Sequence, residues 1–209
     1  MISWVDVSHF YTFARFAFDL SPWFGLTRAL SPPKKPGMTS IVFLPAGGTC
    51  DKQYPRRLGG YAFEFGDEAA VQRVLAELDL HATLQPSVER LVVPKDSQEM
   101  TDADREAFRS RIATASARER FVITHGTDTL VETAQFVHRA AQEAGCTVVL
   151  IGSRLPEAFK GSDFSFNLGF AIAAVQMLGP GAYVAMNGVA IPALKAARDE
   201  SSGMWKQLP

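Results

Sequence analysis

From Ser40 onward the chain alternates short, continuously apolar runs with longer segments of helical periodicity, and this alternation constrains the fold most. Apolar runs without in/out alternation are typical of parallel strands buried on both faces, with helices as the crossovers between them. The chain is therefore predicted to be α/β, a three-layer α/β/α fold with a mainly parallel, flavodoxin-like sheet of about five strands. The predicted strands are 41–44, 88–93, 121–124, 147–151 and 183–186, and the predicted helices are 67–80, a segment opening at Thr101, 129–144 and 163–178.

Short signals mark the ends of these predicted helices. Thr129 and Glu132 have the spacing of a capping box, and Gly145 is typical of the position just beyond a helix C-terminus. The helix that opens at Thr101 carries Asp104 in its first turn, where a carboxylate interacts favourably with the helix dipole.

The loops after the strands are the expected place for a ligand, since open parallel sheets bind ligands at the carboxyl ends of their strands. The loops on this edge are 47–51, 95–100, 125–128, 152–156 and 187–198. Each is a weak signal alone, but four of them, 47–51, 95–100, 125–128 and 187–198, bring polar residues to one edge and together predict a binding cleft.

Thr127 and Asp128 are the most informative residues of that edge. A purely structural explanation assigns Asp128 to the helix dipole and Thr129 to capping, each worth ~1 kcal/mol or less. It does not explain why two polar residues precede a helix that Thr129 already caps. His125 is predicted to be a hydrogen-bonded structural residue, because its neighbours offer no arrangement typical of a catalytic base.

Composition and spacing argue against several kinds of site. Gly47 and Gly48 lack the third glycine, the immediate helix and the timely acidic residue of a dinucleotide fingerprint. A net charge of −1 gives no basis for a nucleic-acid or membrane-surface partner. Four scattered histidines and two cysteines form neither a metal site nor a disulfide framework, so no metal or other cofactor is expected. Low cysteine usage favours a reducing, cytoplasmic location.

Residues 1–37 differ from the rest because they are rich in aromatic residues and end in a Pro/Lys run typical of a linker. They hold no apolar run long enough to cross a bilayer. We therefore interpret residues 1–37 as an N-terminal extension and linker, with its role left open, and residues 38–209 as one domain.

Several stretches of this domain resemble the bacterial-type L-asparaginase/glutaminase family. The order and spacing match from about residue 41 to about residue 198, and an HGTDT segment preceded at the right distance by GGT is highly specific. More closely, the chain resembles short asparaginase-like proteins that hold only the N-terminal domain. The matching stretches are 47–49, 96–100, 122–129, 162–163, 166–167 and 185–187.

The resemblance implies an amidohydrolase that cleaves the side-chain amide of L-asparagine, or a related small amide, without a cofactor. Thr49 would be the nucleophile, and its hydroxyl needs a nearby base to attack at neutral pH. Tyr61 is the first candidate for that base and Tyr54 the second, because the loop spacing does not separate them. Thr127 would orient water or assist proton transfer.

The resemblance also implies how the substrate is held. Asp128 would bind the α-ammonium group by a charge-assisted hydrogen bond. Ser97 and Gln98 would bind the carboxylate and amino ends, and Gly48 would lie against the substrate. Backbone N–H groups near Thr127 could form the oxyanion hole.

The family's second catalytic group contains a lysine, and here this chain departs from the pattern. Arg198 stands at the family spacing, whereas Lys195 lies one helical turn earlier. Lys195 is the predicted catalytic residue, through a one-turn shift, and Arg198 is the alternative, which cannot deprotonate and act as a base.

Full-length asparaginases complete each site with the C-terminal domain of a neighbouring subunit, whereas this chain ends at Pro209. The resemblance therefore implies either a homodimer or higher homo-oligomer that supplies a substitute wall, or a more open cleft. The main alternative to the enzyme is a non-catalytic protein that binds an amino acid or small amide. A third possibility is an interaction module in which residues 1–37 are the functional part.

Overall fold

The computed structural model describes residues 38–199 and 201–209, so the predicted extension at 1–37 lies outside the described residues. Single 3-10 turns at Thr49–Asp51, Ser97–Glu99 and Ala193–Lys195 accompany the main elements. In chain order these are β1 (Thr39–Pro45), α1 (Ala70–Glu77), β2 (Leu84–Val88), α2 (Asp102–Ala113), β3 (Glu119–Thr124), α3 (Leu130–Glu143), β4 (Thr147–Ile151), α4 (Phe164–Met177), β5 (Gly181–Met186), β6 (Val189–Pro192), β7 (Ala196–Arg198) and β8 (Trp205–Gln207).

The central sheet has the strand order β2-β1-β3-β4-β5-β6, with β1 to β5 parallel and β6 antiparallel to β5. The first five strands follow the flavodoxin-like order. Successive residues of a strand point to opposite faces, so the complete burial of 121–124 and 147–151 indicates that helices cover both faces. The prediction of a three-layer α/β/α fold with a mainly parallel sheet is confirmed.

The second strand was predicted about one strand length too late, at 88–93 instead of Leu84–Val88. The prediction was wrong because Leu91 and Val92 are apolar for another reason: they pack against the core from a loop. Pro86 lies inside the true strand, at a sheet edge, where a missing N–H donor is tolerated.

A sixth strand was not predicted, although its signal is in the sequence. Met186 pairs with Val189, so β5 and β6 are joined by the two-residue turn of Asn187 and Gly188. Both turn residues have positive φ, 55° and 82°, as a type I′ hairpin requires, and Asn-Gly is the strongest sequence signal for this turn.

The helix ends are partly as predicted. Thr101 caps α2 and accepts a hydrogen bond from the Asp104 N–H, and Gly145 follows α3 with φ 67°. The predicted capping box at Thr129 and Glu132 is wrong. The Thr129 hydroxyl does not cap its own helix but donates to the Ser97 carbonyl in the loop before α2, and Glu132 forms an ion pair with Arg105 of α2.

The strand order places a crevice at one end of the sheet. From β1 the chain crosses to β2 on one side and then to β3 on the other, so the order switches between β1 and β3. Ligands bind outside the carboxyl ends of the strands at such a switch point. Thr49 follows β1 and Thr127 follows β3, so the HGTDT segment lies at this crevice.

Candidate functional site

Three glycines bring the loops after β1, β2 and β3 into direct contact. Gly47 and Gly48 have φ of +99° and +80°, which favour glycine. A Cβ on Gly47 would lie 2.5 Å from the Lys95 backbone nitrogen, and one on Gly48 would lie 2.3 Å from that of Gly126. A Cβ on Gly126 would lie 2.7 Å from the Ser97 Oγ. These three positions require glycine because the loops pack closely against one another, and this holds whether or not a ligand is bound.

Two adjoining cavities share Thr49, Thr127 and Asp128 as lining residues. The small cavity, of about 230 Å³, also has Ser97 and Gln98 in its wall. The structure thus brings five predicted site residues together, while the predicted Gly48 lines neither cavity. The large cavity, of about 470 Å³, has a separate wall that includes Arg154, Asp163, Asn187, Arg198, Ser202 and Trp205.

The carboxylate of Asp128 is about half exposed and is held between two side chains. Gln98 Nε2 donates to its Oδ2 at 2.8 Å, and Arg198 Nη1 lies 3.4 Å from its Oδ1. The Asp128 N–H donates to Ser97 Oγ at 3.2 Å, and Thr129 Oγ1 donates to the Ser97 carbonyl at 2.7 Å. These bonds fix the loop after β3 against the loop after β2.

Arg198, and not Lys195, reaches the polar residues after β3. The Arg198 Nη1 donates to Thr127 Oγ1 at 3.3 Å, and its Nε donates to the Gly203 carbonyl at 3.1 Å. The guanidinium also lies over the ring of Trp205, 5.8 Å from the centroid. Lys195 is exposed and lines neither cavity. Of the two basic residues considered for the family lysine, Arg198 is therefore the one that contacts Thr127, and its guanidinium stays charged.

The β7–β8 hairpin that holds Arg198 was not predicted. Asp199 closes its turn, since one carboxylate oxygen accepts hydrogen bonds from the backbone N–H groups of Ser201 and Ser202. The pairing sets Trp205 directly opposite Arg198. A run of serines and a glycine at 201–203 is a turn signal that could have indicated the hairpin.

Neither candidate tyrosine lines the small or the large cavity. Tyr61 is fully exposed. Tyr54 is 70% exposed, and its ring stacks on Phe159 and meets Phe63 edge-on, with both centroid distances 5.2 Å. The assignment of either tyrosine as the base for Thr49 stays a prediction.

A buried chain of hydrogen bonds supports the loop that carries Thr127. His125 Nδ1 lies 2.7 Å from the Gly126 carbonyl, which can only accept, so this nitrogen carries the proton. The Thr133 hydroxyl then donates to His125 Nε2 at 2.9 Å and accepts from Arg105 Nε at 3.2 Å. Burial lowers the pKa of His125 to about 4, so the ring is neutral at pH 7. These contacts agree with the predicted structural role.

We expect His125→Ala to lower the free energy of unfolding by about 3 kcal/mol. The change leaves the Gly126 carbonyl and the Thr133 hydroxyl buried without their partner, and unpaired buried groups carry such penalties. Urea unfolding at pH 7 measures the effect. His81→Ala, at an exposed histidine, is the matched control and should shift stability by under about 0.5 kcal/mol. A loss below about 1 kcal/mol for His125→Ala would contradict the supporting role.

Asp51 is a buried carboxyl group two residues after Thr49. It is 2% exposed; its Oδ1 accepts from the Ala70 N–H at 2.6 Å, and its Oδ2 has no partner among the described residues. Burial raises the pKa of Asp51 to about 6, against the opposing effects of the Ala70 hydrogen bond and the charge of Arg73. Asp51 therefore joins the loop that carries Thr49 to the start of α1.

The raised pKa of Asp51 predicts a pH-dependent stability. The folded state binds its proton more tightly than the unfolded state does, so the Asp51 contribution is largest below about pH 4 and is lost as the pH rises through about 6. We expect the difference in unfolding free energy between wild type and Asp51→Asn to fall by about 2 kcal/mol from pH 4 to pH 7. Denaturant unfolding across this range measures it, and a constant difference would contradict the assignment.

A buried amide joins the loops that wall the large cavity, and the sequence did not indicate these contacts. Asn167 is fully buried; its Nδ2 donates to the Gly152 carbonyl at 3.0 Å, and its Oδ1 accepts from the Asn187 N–H at 3.0 Å. The Asp163 carboxylate, one turn earlier, accepts from the Arg154 N–H at 2.9 Å. The available sequence signal for these contacts was the spacing of Asp163 and Asn167, which lie four residues apart and therefore on one face at the start of α4.

Among the described residues, no group of three or more histidine, cysteine, aspartate or glutamate side chains could hold a metal ion. None of the helices at 38–199 or 201–209 is both long and apolar enough to cross a membrane.

Comparison with known proteins identifies one family. The family described as Asparaginase, N-terminal matches residues 40–205. A search of curated proteins finds no match.

Solved structures of asparaginases share the fold. The chain is similar to L-asparaginase I from Vibrio cholerae O1 biovar eltor, with 22% identity, a TM-score of 0.69, and coverage of 83% of this chain and 53% of that one. The thermostable L-asparaginase from Thermococcus kodakarensis is 21% identical, with a TM-score of 0.67 and coverage of 81% of this chain and 51% of that one. A probable cytoplasmic L-asparaginase from Campylobacter jejuni is 26% identical, with a TM-score of 0.61 and coverage of 78% of this chain and 49% of that one. The described chain thus spans about half the length of these asparaginases.

Proposed function

Because the chain belongs to the asparaginase N-terminal domain family, we propose that it is an amidohydrolase that converts the side-chain amide of L-asparagine, or of a related small amide, to the acid and ammonia. One observation carries the proposal: Thr49, Thr127 and Asp128 line both of two adjoining cavities at the switch point of the sheet. A hydroxyl nucleophile, a second hydroxyl and a carboxylate are the groups that a small amide with an ammonium end needs.

In the proposed reaction, the Thr49 hydroxyl attacks the amide carbonyl and forms an ester with the acyl group. The C–N bond breaks, ammonia leaves with the hydroxyl proton, and water then cleaves the ester to regenerate Thr49. Thr127 orients the water or assists proton transfer. The Thr127 N–H donates to no described residue and would stabilise the oxyanion. Tyr61, or Tyr54 as second choice, is the proposed base, and the loop that carries it would have to close.

Substrate binding follows from the contacts of the small cavity. The α-ammonium group would join Gln98 at the Asp128 carboxylate, whose second oxygen faces Arg198. Ser97 and Gln98 would bind the carboxylate and amino ends. The Asp128 carboxylate is about half exposed, so a charged group can reach it without displacing the protein core.

A second candidate function, amino-acid or amide binding without turnover, is favoured by Arg198. The Arg198 guanidinium donates to Thr127 and cannot accept a proton, so the proton transfer assigned to the family lysine has no equivalent there. Arg198 also forms an ion pair with Asp128, and the groups proposed to bind the amino acid in the small cavity stay in place beside it.

Ammonia release from L-asparagine by the purified full chain separates the two functions. The hydrolase predicts steady ammonia release that saturates with substrate. The binding protein predicts a thermal shift with aspartate, saturable in concentration, and no ammonia above the spontaneous rate. A panel of small amides that all fail with folded protein would exclude the hydrolase.

We further propose a cytoplasmic location and a homo-oligomeric state, with a small molecule as the binding partner. Low cysteine usage is consistent with the location, and the half-exposed Asp128 carboxylate leaves the cleft open to a wall from a second copy. Analytical ultracentrifugation tests the oligomeric state, and a single species at the monomer mass of 22.8 kDa would exclude it.

A further inference from the structure

The large cavity is bigger than the proposed reaction on asparagine needs. It shares the nucleophile Thr49 with the small cavity, which holds the groups proposed to bind the amino-acid end. If the acyl part occupies the small cavity, the leaving amine departs on the side of the large one. Ammonia is similar in size to water, which occupies about 30 Å³. The large cavity has about 470 Å³, within the range of sites for much larger ligands.

The wall of the large cavity indicates which chemistry it would accept. The Asp163 carboxylate is already engaged by the N–H groups of Arg154 and Leu155 and by the Asn167 amide. It therefore anchors the loop and does not offer a free anion to a ligand.

The cationic groups of this wall are less fully engaged. Arg198 uses its Nε for the Gly203 carbonyl and its Nη1 for Thr127 and Asp128, which leaves the donors of its Nη2 without a described acceptor. The Arg154 side chain is exposed and forms no ion pair with any described residue. Arginine at an open wall matches a carboxylate, which it can bind with two parallel hydrogen bonds.

We propose that the site takes secondary amides whose nitrogen carries a carboxylate-bearing group, of which a β-aspartyl dipeptide is the simplest. This inference rests on the proposed function. The aspartyl head binds Asp128, Ser97 and Gln98 in the small cavity. The second amino acid lies in the large cavity, with its carboxylate at Arg154 and Arg198.

The reaction on such a substrate is the same hydrolysis with a larger leaving group. The Thr49 Oγ bonds to the side-chain carbonyl carbon, the C–N bond breaks, and the proton passes to the departing amine. Water then cleaves the ester. One dipeptide and one water give aspartate and the free second amino acid, with no change of oxidation state.

Binding of β-aspartyl-glycine tests the inference directly. The comparison ligand is β-aspartyl-glycinamide, which keeps the aspartyl part but lacks the carboxylate of the glycine part. Thr49→Val prevents turnover during calorimetry, and a thermal melt equal to that of wild type confirms its fold. We expect the dipeptide to bind about tenfold more tightly than the glycinamide, since hydrogen bonds to a charged group contribute at about this level. If Thr49→Val fails to fold, glycine release from the dipeptide by wild type replaces the binding measurement.

A charge variant localises the effect. Arg154→Met should remove most of the tenfold preference for the dipeptide over the glycinamide. Arg118→Met is the matched control, because Arg118 is an exposed arginine beside the start of β3 and lines neither of the two cavities. It should leave the preference unchanged.

The outcomes separate this inference from the proposed function. Turnover of asparagine with equal binding of dipeptide and glycinamide, or with no dipeptide binding, overturns the inference alone. Preferential dipeptide binding without any turnover by wild type supports the proposed binding of the second amino acid in the large cavity, and it overturns the hydrolase together with hydrolysis of the dipeptide. Absence of binding to aspartate, asparagine and dipeptide overturns both.

Discussion

Thr49→Ala is expected to lower kcat for amide hydrolysis by at least about a thousandfold. In the proposed reaction the Thr49 hydroxyl forms the covalent ester, and no other described hydroxyl is assigned that step. Removal of a nucleophile that acts as part of a catalytic unit abolishes nearly all of the unit's contribution. The effect should appear in kcat, because Asp128, Ser97 and Gln98 still bind the substrate.

The measurement is ammonia release by wild type and variant at saturating substrate, with thermal unfolding of both. The Thr49 side chain forms no hydrogen bond with a described residue, so the melting temperature should change little. Thr114→Ala, at an exposed threonine beyond the end of α2, is the matched control and should retain full activity. More than about a tenth of wild-type kcat in folded Thr49→Ala would reject Thr49 as the nucleophile.

Arg198→Lys is expected to raise kcat about tenfold. The Arg198 guanidinium donates to Thr127 Oγ1, the contact that the family resemblance implies for a lysine, but it stays charged at all accessible pH. A lysine there can exchange a proton, and positioned acid–base groups contribute about a hundredfold or more. We expect part of this gain, because the shorter ammonium loses the contacts with Gly203 and Trp205.

The pH profile of kcat checks this interpretation. Arg198→Lys should add an ionisation that the wild type lacks, whereas Arg139→Lys, at an exposed arginine of α3, should leave the profile unchanged. The pair Arg198→Met and Lys195→Met decides which basic residue works with Thr127. Loss of turnover in the Lys195 variant alone would reject the geometric assignment to Arg198.

The sequence was most informative about features fixed by local pattern. Continuous apolar runs can be buried on both faces only within a covered parallel sheet, and strands 147–151 and 121–124 were found where they were predicted. The shifted second strand shows the limit of this reasoning. Leu91 and Val92 are as apolar as a strand, and only the packing of the loop against the core separates the two cases.

The site shows the same division. Its loops were predicted because the carboxyl ends of parallel strands must share one edge, and Thr49, Ser97, Gln98, Thr127 and Asp128 do line one cleft. The capping box at Thr129 was a local rule that a tertiary contact overrode, since the hydroxyl donates to the Ser97 carbonyl instead.

By itself, therefore, the sequence determined the fold class, the family and the edge of the sheet where the polar loops meet, because these depend on periodicity and on motif order. Only the tertiary structure decided that Arg198 and not Lys195 meets Thr127, and that a large cavity adjoins the small one. Both depend on the β7–β8 hairpin, which carries Arg198 and Trp205 at the wall of the large cavity, whereas Lys195 lies in the 3-10 turn before it. A contact between residues 71 positions apart is fixed by that packing, and no local pattern encodes it.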